Sequence, residues 1–346
     1  MKLRHLFEWR VLAIALAVLS TVIVTPGGGT PGGRGSKFEN RLKQKVFDQT
    51  YSLEAGGELY IDVVDMDIHI RTGPDRTGSV QVFVAGSDPE RAAEKFEELR
   101  FDARLESNKL SIESQGPTFV VRGFWNRNRS VRVWMIVSVP KEIDSDIRTE
   151  DGDVRIDDLT GNARVRTEDG DLEFSEIHGT SIEIHTEDGD VMADVLEADD
   201  ITVSTEDGDL QIDSIKGGRV DVSSSDGDIE VSRIEAENIL METSDGDIEM
   251  TVSGNSLDAE CSDGDMTITI LDEMEVDVRT ADGDVELNIP QNINADLDLE
   301  GGHVSVRSKI SIKGRVSKER IKGSVNDGGP LIRVRTDDGS ILVREG

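Results

Sequence analysis

The sequence predicts an all-β protein: a parallel β-solenoid of roughly 19-residue, two-strand coils, preceded by a β-rich N-terminal cap module that carries one short helix. Three observations predict it. An Asp-Gly-Asp core occurs eight times, with its glycines at Gly152, Gly170, Gly189, Gly208, Gly227, Gly246, Gly264 and Gly283, in steps of 18 or 19 residues. The residues two and four after each glycine are apolar in every copy, from Val154 and Ile156 to Val285 and Leu287, with mostly polar residues between them. A second alternating segment fills the other half of each coil, as in Ile182 and Ile184 or Val220 and Val222. Period-two alternation is the pattern of a strand with one face buried. A single coil cannot bury both strips, whereas stacked coils pair equivalent strands at about 4.8 Å and turn each apolar position into a column. About eight regular coils make a rod of roughly 40 Å.

The elements follow in order. Residues 1–24 read as a signal peptide or N-terminal anchor: Lys2, Arg4 and Arg10 precede an apolar stretch from Val11 to Val24, shorter than the ~20 apolar residues of a membrane span. No cysteine follows it, which excludes a lipid-modified N-terminus. Residues 25–37 are a Gly/Pro-rich linker. Residues 38–148 form the cap module, with strands expected at 58–63, 80–84, 109–113, 119–122 and 130–139. A helix is expected near 88–100, because Ser87 or Asp88 can cap it, Pro89 suits its first position, and Ala92, Ala93, Phe96 and Leu99 share a face. Asp65-Met66-Asp67 repeats the coil phrase with Met for Gly, so the stack is a candidate to begin there. Residues 149–346 hold the solenoid with a C-terminal cap. Degenerate corners stand at Gly301-Gly302-His303 and Asp338-Gly339-Ser340. The basic stretch Lys309–Lys322 between them is either a cap or an insertion.

Within the phrase, glycine is expected at positive φ, and the Asp before it is expected to cap the corner. The residue three before the glycine is Thr, Ser or, once, Cys261. It faces inward by parity, so Cys261 is read as buried and structural. The Asp after the glycine points outward and is left over for function.

Charge and composition narrow the function. The chain has 71 Asp+Glu against 38 Lys+Arg, a formal charge of −33. That argues against nucleic acid as a partner, since phosphates need Lys and Arg, and leaves the N-terminal segment as the membrane contact. A single cysteine excludes an intramolecular disulfide. The outward ladder Asp153, Asp171, Asp190, Asp209, Asp228, Asp247, Asp265 and Asp284 is the candidate metal site. Hard cations such as Ca²⁺ favour clustered oxygen ligands, although solvated corner aspartates explain the ladder as well. The loop holding Phe124, Trp125, Arg127 and Arg129 is the candidate partner-binding site, because aromatics and Arg are enriched at hot spots. No catalytic residues and no cofactor are assigned. His69, His178, His185 and His303 fall in separate coils, and carboxylates repeated in every coil define no single site.

Residues of about 50–346 resemble the bacterial putative-adhesin family of exported β-strand-repeat proteins, a domain of unknown function. The resemblance rests on the Ala55-Gly-Gly entry, the Val139-Pro140 lead into Arg148-Thr-Glu-Asp-Gly-Asp-Val154, the recurring coils, and the closing Gly328-Gly-Pro with Arg335-Thr-Asp-Asp-Gly339. It implies a β-solenoid on or outside the cell envelope and carries no catalytic residues. The function expected is a non-enzymatic, extracytoplasmic scaffold or adhesion module, periplasmic or extracellular, whose partner is an envelope protein or glycan. A cation-binding envelope protein and a polysaccharide-active β-helix enzyme are the alternatives.

Overall fold

A computed structural model describes residues 42–73, 77–86, 89–116, 131–307 and 311–345. The N-terminal segment, the linker, the 119–122 strand and the loop with Phe124, Trp125, Arg127 and Arg129 lie outside these residues. What is described is a β-solenoid with one helix, α1 (Pro89–Glu98).

In the regular coils the two arms often run on as one bent strand, as in Val191–Ser204, Leu210–Ser223, Ile229–Thr243 and Ile248–Cys261. Each strand pairs in parallel with its counterpart one coil away, residue for residue: Val191 with Leu210, Leu210 with Ile229, Ile229 with Ile248. Burial alternates along both arms and slips phase between them, so a short third side, centred on Leu196, Ile215, Ile234 and Val252, closes the core. In the coil that begins at Ile248 the missing residue falls at this bend, where the pairing steps from Val231 to Ile234 on one strand and from Met250 to Val252 on the other. The inward columns keep their phase across the deletion, as side-chain alternation requires.

The cap module supplies rungs of the same stack. β2 (Gly57–Val63) and β3 (Asp67–Gly73) pair in parallel with β8 (Ile143–Thr149) and β9 (Val154–Ile156). Met66 occupies the corner, with its side chain fully buried and its carbonyl facing Gly152. On the far side of that rung lie β6 (Lys109–Glu113) and β7 (Arg132–Pro140), also parallel. The stack therefore passes residue 148 without a break. β4 (Gly78–Gly86) then turns antiparallel against β7, β1 (Leu42–Tyr51) against β4, and β5 (Asp102–Glu106) against β6. α1 buries Ala92 and Phe96, and Leu99 just beyond it. Phe96 meets Phe101, which meets Phe47, at 5.5 and 5.0 Å between ring centres.

The other end uses the same device. The last coil in the chain, Leu331–Thr336 with Ser340–Glu345, is not the last in space. It pairs on one side with Glu275–Thr280 and Val285–Ile289, and on the other with Ala295–Glu300 and His303–Arg307. Gly339 consequently stacks on Gly283, not on Gly301. The basic stretch forms Ile312–Val316 and Arg320–Val325, an antiparallel hairpin added to Ala295–Glu300. Of the two readings open for it, the structure is a cap.

Candidate functional site

The repeated corner is built from three columns. The inward one is hydroxyl: Thr205 Oγ1 donates to the Gly189 carbonyl at 3.2 Å and accepts the Gly208 amide at 3.1 Å. Ser224, Thr243 and Thr280 repeat this, and Cys261 does so with sulfur, at 3.3 Å to the Gly246 carbonyl and 3.0 Å from the Gly264 amide. Cys261 is 2% exposed, and burial pushes its thiol pKa up.

The glycine column has a different cause from the one expected. None of the eight glycines takes positive φ. Instead, the carbonyl of one corner glycine presses on the Cα of the next. A Cβ built on Gly227 meets Gly208 O at 1.9 Å, and the equivalent contacts along the column lie between 1.8 and 2.3 Å. Close backbone approach, not turn conformation, excludes a side chain there.

The acidic columns exchange the roles expected for them. Asp153, Asp171, Asp190, Asp209, Asp228, Asp247 and Asp265 each accept, through Oδ1, the amide of the corresponding Asp one coil on. Asp284 accepts the Ser340 amide at 2.6 Å. The Asp after the glycine is therefore the capping one, across the coil boundary, although it remains exposed. The Asp before the glycine is the uncommitted one: Asp188, Asp207, Asp226 and Asp245 have no side-chain partner among the described residues. At the first corner Asp151 stands beside Asp65 and Asp169. Burial, then the hydrogen bond and charge of Asp65, push its carboxyl above the usual range. Among the described residues no three His, Cys, Asp or Glu converge as a metal-holding group.

The histidines stay apart. His69 Nε2 lies 3.1 Å from Asp157, His178 sits between Glu176 and Glu197, and His185 Nδ1 meets Ser204 Oγ at 2.9 Å.

Sequence reasoning missed one surface and saw only part of a second. One is a groove of about 690 Å³ on the outer face near the N-terminal rungs, lined by Lys43, His69, Arg132, Trp134 and Met192 among others. Trp134 stacks on Phe83 at 5.4 Å and 11°, and Lys43 Nζ lies 5.7 Å from its ring. The signal was present, since Met192 stands where Glu173, Gln211 and Glu230 stand in other coils. The other surface is a basic face at the C-terminal end, where Arg320 and Lys322 flank Asp298 at 2.9 and 3.1 Å. Burial would raise the Asp298 carboxyl, but these two cations outweigh it and hold it below the usual range.

This corner, with its glycine stack and inward hydroxyl, can be set against known proteins. Residues 57–194 and 181–344 match the profile of the Toastrack DUF4097 family. The chain belongs to the Toastrack DUF4097 family. Its first matched residue, Gly57, opens β2, so the Toastrack repeat includes the rung that precedes the first Asp-Gly-Asp. Among solved structures, a putative adhesin from Parabacteroides distasonis is similar at 14% identity and TM-score 0.50, covering 70% of this chain and 96% of that one. A putative adhesin from Parabacteroides merdae follows at 12%, 0.47, 70% and 95%. A putative lipid binding protein from Parabacteroides distasonis gives 13%, 0.42, 86% and 96%. At these identities the likeness is one of fold. No curated protein matches the Toastrack chain.

Proposed function

We propose that the protein is a non-enzymatic scaffold or adhesion module that works outside the cytoplasm, presenting a rigid acidic rod at the cell envelope. The observation that carries this reading is the sameness of the middle coils. From Gly189 to Gly283 each corner repeats the same contacts: the glycine carbonyl of the coil below and an inward hydroxyl or thiol bonded on both sides. A surface property of a whole rod suits a spacer or contact surface better than a reaction centre, which needs differentiated groups at one place. A putative adhesin is the structural neighbour at TM-score 0.50, which supports the contact part of the reading. Among the described residues the parallel stack has twelve rungs, so its ends lie roughly 50 Å apart at about 4.8 Å per step.

Fractionation of cells carrying a C-terminally tagged copy tests the location, with the tag expected in the envelope or medium. A purely cytoplasmic tag would sink the reading. Incubating the purified protein with envelope polysaccharides tests the rest, and any turnover would replace the scaffold by an enzyme.

A further inference from the structure

The basic face at the C-terminal end is anomalous in a chain with a formal charge of −33. Across the strands Ala295–Glu300, Ile312–Val316, Arg320–Val325 and Leu331–Thr336, the outer positions hold Lys313, Arg315, Arg320, Lys322, Arg333 and Arg335. Only Asp296, Asp298 and Glu300 oppose them within the same block. The pairing register puts all of these on one surface: Arg315 beside Lys322, Lys322 beside Asp298, Asp298 beside Arg333. Arg320, Lys322 and Arg333 are engaged with carboxylates. Arg315 and Arg335 have no ion-pair partner among the described residues, and Lys313 Nζ turns to the Asn326 carbonyl at 3.0 Å. The outermost strand, Ile312–Val316, is exposed along most of its length and pairs on one side only among the described residues.

We propose that this face docks onto the acidic edge of a second copy of the chain. Charge and spacing both point to that occupant. The edge offers Asp188, Asp207, Asp226 and Asp245, one uncommitted carboxylate per coil, at the strand spacing of about 4.8 Å. The face offers cations on the neighbouring strands Ile312–Val316 and Arg320–Val325, about 4.8 Å apart, and again on Leu331–Thr336, two strand spacings from Arg320–Val325 because Ala295–Glu300 lies between them. The cationic rungs fall on the period of the acidic edge at three strands of four. The charge of the whole chain does not forbid this, because charges more than about 10 Å apart are screened at 0.1 M salt. Edge and face are different patches, so the contact is heterologous and each copy keeps one of each free, which builds chains beyond the dimer. The contact does not depend on where the protein resides in the cell.

Sedimentation of the full-length chain in about 0.1 M and about 1 M salt tests it. The expected result is a weight-average mass that rises with concentration to at least twice the monomer value at low salt and returns to the monomer at high salt. Lys313→Glu/Arg315→Glu/Arg335→Glu and, separately, Asp188→Lys/Asp207→Lys/Asp226→Lys are each expected to stay monomeric. Mixed together, the two variants are expected to associate again, because each then carries the complement of the other. That rescue also shows that both variants are folded. A wild-type chain that stays monomeric, association that survives reversal of the face, or folded variants that fail to associate on mixing would each overturn the proposal. Binding of a monomeric wild-type chain to anionic lipid vesicles, lost on reversing the face, would overturn it too and assign the face to a membrane surface.

Discussion

Replacing Gly227 by alanine is the sharpest test of the corner. The new Cβ would stand 1.9 Å from the Gly208 oxygen and 2.5 Å from its carbon, and neither neighbour is a flexible side chain. Reaching even 3.0 Å, below which real Cβ contacts essentially do not occur, requires the two coils to part by about 1.1 Å. Of the bonds that join these coils at that place, three are 2.9 Å long: Asp226 N to Glu206 O, Asp228 N to Asp209 Oδ1, and Leu210 N to Asp228 O. Stretched by about 1.1 Å, none stays within hydrogen-bonding distance. At roughly 1 kcal/mol net for each bond the cost is about 3 kcal/mol. Gly73→Ala is the control, since nothing lies within 4 Å of its added Cβ and its φ is not left-handed. Both variants lose the same backbone freedom in the unfolded chain, a stabilising effect of about 0.4–1 kcal/mol that cancels in the comparison. Urea unfolding followed by circular dichroism measures the difference. Native-state hydrogen exchange at the Leu210 and Asp228 amides shows whether it is local, as a stack of nearest-neighbour contacts requires. If Gly227→Ala falls within about 0.5 kcal/mol of Gly73→Ala, the close-approach account of the glycine column is refuted.

Two further outcomes follow from the same columns. Cys261 is expected to resist a thiol reagent in the folded protein and to react once unfolded, because it is buried, bonded on both sides and raised in pKa by burial; rapid labelling of native protein would contradict this. Asp151 carries a folded-state pKa above its ordinary value, so the folded state holds the proton more tightly and stability falls as pH rises through that range. Asp151→Asn is therefore expected to be more stable than the wild type at about pH 7, with the gap closing as the pH is lowered to about 3, below the ordinary Asp value of about 3.9. Urea midpoints at the two pH values measure it, and a gap independent of pH would remove burial and the Asp65 carboxylate as its cause.

Where a rule of alternation or period applied, the fold was legible in the residues. The inward columns, the corner hydroxyls and the place of Cys261 in them all follow from parity. What parity cannot show is distance between coils. The glycine carbonyl stack and the Asp-to-amide ladder are contacts between residues 18 or 19 apart. A single phrase read by itself instead suggests a turn with positive φ and a capping Asp before the glycine. The exchange of roles between the two aspartates has the same cause: which carboxylate meets an amide depends on the coil below, not on the corner's own sequence. The basic face was visible as a run of Lys and Arg. Its extent was not, because Arg333 and Arg335 join it only through the inserted last coil.

That insertion bears on how the rod stops growing. A parallel stack exposes an unpaired strand at each end, and such edges invite further pairing. Both ends here answer with a rung out of chain order followed by antiparallel strands. At one end β6 and β7 lie outside β2 and β3, β4 and β5 reverse direction against them, and β1 turns back again against β4. At the other end Ala295–Glu300 lies outside the last coil, and the hairpin reverses against it. At β5 the reversed edge no longer offers the direction that another parallel coil needs, while β1 and Ile312–Val316, each reversed twice, run with the coils. Lysine and arginine on the outermost strand make that edge a poor template for apolar pairing. The two ends thus fix the length of the rod, and the charges that protect the last edge are the same ones proposed to meet the acidic flank of another copy. The end that cannot accept another coil is left to make contact through its side chains.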